Sequence, residues 1–156
     1  MLKRLGALGA AVGVAALAVG SVGPATGSVS SSGDDHERVT VLSTNTEQAF
    51  VDVGEPDISL GDAFVFTSQL TRHGKTVGHT GVVCTTTSVQ MEEAQCVGTA
   101  WFRRGQITVQ GLLAGEPEGF ELAITGGTGA FEGAGGTLVV RFISDTKERL
   151  TFHITD

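Results

Sequence analysis

The sequence predicts an all-β domain in which eight antiparallel strands form a closed meander barrel. Residues 37–156 show no helical repeat of apolar residues, whereas alternation of apolar and polar residues is frequent and β-branched residues are abundant. The connections are short and rich in glycine, which favours antiparallel neighbours because parallel pairs need long crossovers. Closure into a barrel would remove exposed sheet edges. A sandwich of seven or eight strands is the alternative.

Each predicted strand is bounded by turn residues. The short turns are His73-Gly74, Arg104-Gly105 and Asp145-Thr146, and two Gly-Glu-Pro stretches make longer breaks. The predicted strands are, in order, Arg38–Ser43, Asp62–Thr71, Thr76–Thr87, Gln95–Arg103, Gln106–Leu113, Phe120–Thr125, Thr137–Ser144 and Glu148–Ile154.

Alternation within two of these strands predicts which side chains face the interior. On the second strand the inward face should carry Phe64, Phe66 and Ser68, because the opposite face of Val, Thr and Gln suits solvent. On the last strand the inward face should carry Leu150, Phe152 and Ile154. An interior of eight strands holds packed side chains or one small ligand.

Residues 1–27 have the pattern of a secretory signal peptide. Lys3 and Arg4 precede an apolar run, and Ala25 and Gly27 occupy the −3 and −1 positions of a cleavage site. A transmembrane anchor is the alternative, but the run is rich in glycine and alanine rather than leucine. Residues 28–36 are small, polar and acidic, which is typical of a disordered leader. A secreted barrel domain would then occupy residues 37–156, with no membrane span after processing.

The charge balance and the cysteine content exclude several classes of function. The chain has 17 acidic and 10 basic residues, a formal net charge of −7, so it is a poor partner for nucleic acid. Two cysteines are too few for a zinc site built from cysteine alone, and we predict no metal site. A cluster of His36, His73 and His79 with acids is the alternative, but His36 lies in the leader and His73 in a glycine turn, so we expect both to be solvated.

The two cysteines lie on neighbouring predicted strands joined by a hairpin. If Cys84 faces Cys96, the remaining register of the hairpin is self-consistent, so the thiols can meet. In an exported protein this favours a disulfide. A reactive Cys84 thiol is the alternative.

A glycine-rich segment, ITGGTGAFEGAGG, covers residues 124–136. A phosphate-binding loop would need a helix behind it, whereas a strand is predicted to follow. We therefore expect a structural role, a tight corner of the barrel with close backbone approach, for Gly126, Gly127, Gly129 and Gly133.

This segment resembles the motif of plant allene oxide cyclases and, more loosely, of dirigent proteins. LGDAFVFTSQL, VGHTGVVC and QITVQGLL resemble further strands of the cyclases, so the similarity runs from about Leu60 to Phe152. The chain is still more similar to small exported bacterial proteins with this domain. The resemblance implies a calycin-like barrel with a mainly apolar cavity, no cofactor, an assembly that is often a homotrimer, and an isomerase or coupling activity.

The resemblance transfers few active residues. The cyclases carry a carboxylate on the first strand, where this sequence reads RVTVLSTN without an acid. Their second-strand Asn falls on Ser68, and their third-strand Cys falls on Cys84. The catalytic residues are therefore left unassigned.

Three functions follow for such a barrel. It steers cyclisation or coupling of a small hydrophobic molecule, it carries an apolar ligand without catalysis in the manner of a lipocalin, or it is a structural barrel with a filled core. For the first two, the predicted ligand-binding residues are Phe64, Phe66, Ser68 and Phe152. An ionisable group with a perturbed pKa inside the cavity would favour the first over the second.

Overall fold

The structure of the 156-residue chain is a computed structural model that describes residues 37–115 and 118–155. The predicted signal peptide, residues 1–27, and the predicted leader, residues 28–36, lie outside the described residues. No helix within the described ranges is long and apolar enough to cross a membrane.

Eight strands form one closed antiparallel barrel, as predicted. Each strand pairs with the next along the chain, and β8 returns to pair with β1. A single turn of 3₁₀-helix, Gly129–Phe131, lies between β6 and β7. The strands are β1 Glu37–Val51, β2 Ala63–Arg72, β3 Lys75–Ser88, β4 Glu93–Phe102, β5 Gly105–Ala114, β6 Gly119–Gly127, β7 Gly135–Ser144 and β8 Lys147–Thr155.

The first strand is longer than predicted. The prediction missed its second half because that half lacks the alternation of apolar and polar residues that was used to define strands. The prediction ended at Ser43, whereas β1 continues to Val51. Its first half pairs with β8 as far as Thr44, and its later part pairs with β2 across a register shift between Asn45 and Glu47. From residue 46 onward β1 is exposed, so polar residues are tolerated there and alternation is lost.

The inward faces of β8 and of the later part of β2 agree with the alternation, whereas Phe64, predicted to face inward, is exposed at the start of β2. Leu150, Phe152 and Ile154 are all buried, as are Ser68 and Leu70 on β2. Phe102 is also buried in the core. This packing fills the middle of the barrel.

The connections divide the barrel into two ends. One end carries the β1–β2, β3–β4, β5–β6 and β7–β8 connections, and we call it the Glu148 end after a residue just beyond the β7–β8 turn. The glycine-motif end carries the other three connections and the start of β1. Opposite ends of the barrel therefore hold side chains from different loops.

The glycine-rich segment folds against the β4–β5 turn and covers the glycine-motif end. The Thr128 amide donates to the Gln106 carbonyl and the Ala130 amide donates to the Arg104 carbonyl, each at 2.9 Å. Gly129 has a φ of +64°, and a Cβ there would overlap the Arg104 carbonyl oxygen. The segment carries Phe131 into the core, and the strand expected to follow it is β7.

Candidate functional site

A small cavity of about 60 Å³ lies inside the barrel toward the Glu148 end. Typical ligand pockets measure roughly 300–1,000 Å³, so this cavity is large enough for a few water molecules only. Its wall is mainly apolar and is formed by side chains from all eight strands, among them Phe66, Val82, Val109, Leu122, Val140 and Leu150.

One carboxylate lines this apolar cavity. Glu148 is the second residue of β8, where its register partners are Ser43 on β1 and Phe142 on β7. Burial raises the pKa of the Glu148 carboxyl above its ordinary value. A carboxyl group held in this way can carry a proton nearer to neutral pH than an exposed glutamate, which suits general acid–base chemistry.

Sequence reasoning missed Glu148, although a signal was present. Leu150, Phe152 and Ile154 were predicted to face inward, and Glu148 continues the same period of two. The charged run Lys147-Glu148-Arg149 directly after a turn looks solvated, so the acid was not assigned to the interior. The structure supplies a cavity carboxylate on the last strand, whereas β1 has none facing the cavity among its described residues.

Phe66 borders the cavity and Phe64 lies outside it. The two rings are tilted with centroids 5.4 Å apart, and Phe64 is 38% exposed at the Glu148 end. Together they form an aromatic wall that leads from the surface toward the cavity. Their predicted role in ligand binding stays a prediction.

Ser68 is buried and its hydroxyl is occupied by a partner within the protein. The Ser68 hydroxyl donates to Asn45 Oδ1 at 2.7 Å, across the β1–β2 register. The partner of this buried hydroxyl is thus a side chain on the polar half of β1. A ligand at Ser68 would have to compete with that bond.

Phe152 lies in the packed core rather than on the cavity wall. It is fully buried, and its ring meets Phe102 edge-on with centroids 5.9 Å apart. Contact with a ligand would need this aromatic packing to open, so its predicted role also stays a prediction.

The predicted disulfide between Cys84 and Cys96 is confirmed. The two residues are direct partners in the β3–β4 ladder, and both border the cavity. The alternative of a free Cys84 thiol is thereby removed. A disulfide is compatible with an extracellular protein.

A wider groove of about 670 Å³ opens at the Glu148 end beside the disulfide. Thr86 and Ala94, the cross-strand pair two positions beyond the disulfide, border it, together with Ile58 and Val89. The groove therefore lies above the same face of the sheet as the disulfide. It provides space for a ligand outside the narrow interior.

The β1–β2 connection at this end is anchored by Asp62. Its buried carboxylate accepts hydrogen bonds from the Val53 amide at 2.9 Å and the Ser59 amide at 2.7 Å. Those two backbone bonds hold the pKa of Asp62 below its ordinary value. Asp62 therefore holds the β1–β2 connection in place.

Within the described part of the chain, no three His, Cys, Asp or Glu side chains are close enough to hold a metal ion.

Comparison with known proteins identifies the family and the fold of this barrel. The model of the family described as "Allene oxide cyclase barrel like domain" matches residues 38–155. No curated protein matches the chain.

Solved structures with similar folds include the following three. Pyocyanin demethylase is 28% identical, with a TM-score of 0.69, over 76% of this chain and 100% of that protein. A pterocarpan synthase dirigent protein is 21% identical, with a TM-score of 0.61, over 78% and 87% of the two chains. An exo-specific intermolecular Diels-Alderase is 16% identical, with a TM-score of 0.59, over 78% and 98%.

Proposed function

The chain belongs to the family of allene oxide cyclase barrel like domains, and on that premise we propose that it is a cyclase-like barrel that steers the cyclisation or coupling of a small hydrophobic molecule. The observation that carries the proposal is Glu148, a carboxylate with a raised pKa on an otherwise mainly apolar cavity wall. A simple carrier of apolar molecules gains nothing from a desolvated acid, whereas a catalyst gains a proton donor or acceptor.

In this proposal the substrate enters at the Glu148 end. It first lies in the groove beside the disulfide and against Phe64, and it reaches the interior as Phe66 moves aside. This movement is required because the interior cavity is only about 60 Å³. The apolar wall excludes water and restricts the substrate to reactive conformations.

Glu148 then exchanges a proton with the reacting molecule. In its neutral form it donates a proton to an oxygen or nitrogen on which negative charge develops, and the resulting carboxylate recovers a proton from the product or from water. No cofactor is needed for such a cycle, and the proposal requires none.

The decisive test compares Glu148→Gln with Glu121→Gln, an exposed glutamate on β6. Native mass spectrometry of the protein recovered from its own host would identify any retained small molecule, which then serves as the substrate for turnover assays. We expect Glu148→Gln to keep binding and to lose turnover by about 10²-fold or more. Unchanged turnover in Glu148→Gln, or an equal loss in Glu121→Gln, would contradict the acid–base role.

A non-catalytic carrier is the second candidate, favoured by the apolar wall itself. A carrier would retain a ligand without converting it, and Glu148→Gln would bind that ligand as tightly as the wild type. The third candidate, a filled structural core, is favoured by the small size of the cavity.

Phe66→Trp separates these last two possibilities. A larger ring on the cavity wall should remove binding of the uncharged fluorescent probe N-phenyl-1-naphthylamine in the interior and leave the fold intact if the protein takes up ligands there. If the core is simply filled, the wild type binds no probe and the substitution overpacks the interior, lowering stability by about 1–3 kcal/mol.

We also propose that the protein is secreted and self-associates. Secretion rests on residues 1–27 and on the disulfide, and N-terminal sequencing of secreted material should begin near Ser28.

Self-association, as a homotrimer, rests on the outer face of β2–β4, where Val65, Val83 and Val97 form a cross-strand row. Val83 and Val97 are 42% and 52% exposed. Val97→Lys should convert the assembly to monomers in native mass spectrometry, whereas Asp145→Lys, in the exposed β7–β8 turn, should not.

A further inference from the structure

A second groove, of about 540 Å³, opens at the glycine-motif end of the barrel. Its floor is apolar and includes Val39, Val77, Phe102 and Phe131, which belong to the core or pack against it. The groove is separated from the Glu148 end by the filled middle of the barrel, where Leu70 and Phe152 are fully buried. It is therefore a different site from the one proposed to carry the reaction.

The rim of this groove is strongly basic, in contrast to the chain as a whole. Arg72, Lys75, Arg103 and Arg104 all line it, four of only 10 lysines and arginines in a chain with 17 acids. These residues come from two neighbouring hairpin turns, β2–β3 and β4–β5, which the barrel brings to the same end. Concentration of positive charge at one end gives that end a local potential opposite to the net charge.

The rim charges are largely free of partners within the described residues. Among the described lining residues, Glu37 is the one carboxylate, and its Oε1 lies 3.9 Å from Arg104 Nη1. Both side chains are exposed, so this ion pair is weak. The guanidinium of Arg104 also lies 5.9 Å above the centre of the Phe131 ring, which joins the basic rim to the apolar floor.

We propose that this groove binds a small amphipathic anion, a molecule with an apolar body and one carboxylate, sulfonate or phosphate group. The apolar floor would take the body, and the arginine forks and the lysine would take the anionic group at the rim. The volume matches a small molecule, and the charge is complementary to an anion. The site would operate independently of the chemistry at the Glu148 end.

Intrinsic fluorescence gives a direct measurement of occupancy. Trp101 borders the groove, and the chain has one Trp and no Tyr, so its emission is the only tryptophan signal. The probes are 8-anilinonaphthalene-1-sulfonate and its uncharged counterpart N-phenyl-1-naphthylamine. We expect the sulfonate to quench Trp101 by energy transfer and to bind about tenfold more tightly there than the uncharged probe, with an advantage that falls as salt is added.

Matched variants locate the binding site. Arg72→Gln combined with Lys75→Gln should weaken sulfonate binding about tenfold. The control, Arg141→Gln combined with Lys147→Gln, removes the same charge from the opposite end and should leave the affinity unchanged within about twofold. Arg103→Gln serves as a second rim variant if the first pair lowers the melting temperature.

Three outcomes would overturn the proposal. The first is equal affinity for the charged and uncharged probes. The second is equal weakening by the rim pair and the control pair. The third is that the protein sediments with phosphatidylglycerol vesicles in a way that depends on the rim residues, but does not bind the dissolved sulfonate. That result would assign the basic end to a lipid surface instead.

Discussion

Glu148 on β8 lies directly opposite Ser43 on β1, at the seam where the last strand closes the barrel against the first. Ser43 is buried, and both residues line the interior cavity. The carboxyl group of Glu148 is desolvated by the pairing of β8 with β1, two strands that are distant in sequence. Its protonation is therefore coupled to the closed state of the barrel.

We predict that the stability conferred by Glu148 falls as the pH rises. The pKa of Glu148 is raised by burial, so the folded protein holds the proton more tightly than the unfolded chain. The loss begins at the unfolded pKa, about pH 4, and is complete above the raised folded pKa. Glu148→Gln should remove this dependence and increase the free energy of unfolding at neutral pH, measured by urea denaturation at several pH values. Glu121→Gln is the control, and parallel curves for both variants would contradict the prediction.

Asp62 should show the opposite pH dependence. Backbone hydrogen bonds from Val53 and Ser59 lower its pKa, so its contribution is present above about pH 4 and is lost as the pH falls through the lowered folded pKa. Asp62→Asn should lower the melting temperature at pH 7 and make the acid side of the stability curve shallower. Asp145→Asn, in the exposed β7–β8 turn, should change neither. An unchanged melting temperature in Asp62→Asn would contradict the anchoring role.

Removal of the disulfide should destabilise the barrel without opening it. Cys84 and Cys96 are 12 residues apart, and closing a loop of that size contributes about 3 kcal/mol in the chain-entropy model. The double variant Cys84→Ala with Cys96→Ala should lose about that much in urea denaturation and keep its far-ultraviolet spectrum. Two alkylatable thiols in freshly prepared wild-type protein would show that the bond is absent.

The glycine-rich segment offers a matched pair of substitutions. At Gly129 the backbone φ is positive, and the new Cβ of an alanine would overlap the Arg104 carbonyl. At Gly133 φ is +81°, but a new Cβ would meet no other atom within 4 Å. Gly133→Ala should cost about 1–2 kcal/mol, the price of the left-handed conformation alone. Gly129→Ala should cost clearly more in thermal unfolding, and equal losses would contradict the close approach.

Local patterns in the sequence predicted the fold well. Alternation identified the inward faces of β8 and of most of β2, and the hairpin between β3 and β4 placed Cys84 opposite Cys96. These features depend on neighbours in the chain, which a sequence displays directly.

The parts that were missed depend on contacts between distant segments. The Ser68–Asn45 bond requires knowledge of the β1–β2 register, which is interrupted by a shift at Asn45. The burial of Glu148 requires β1 to pair with β8, and the extension of β1 to Val51 requires β2 as a partner rather than apolar alternation. The candidate site is built from these long-range pairings.

The pairing of β1 with β8 also fixes the order in which the molecule can form. Glu37 at the start of β1 is opposite Ile154 near the end of β8, so this contact joins positions more than a hundred residues apart. While the chain is being synthesised, β1 can pair with β2 but must wait for the last strand to be made. Contacts of such high sequence separation slow folding. A protein cut short before Lys147 would keep β1 and β7 without their partner, and such nascent or truncated chains would be prone to join other chains through those strands.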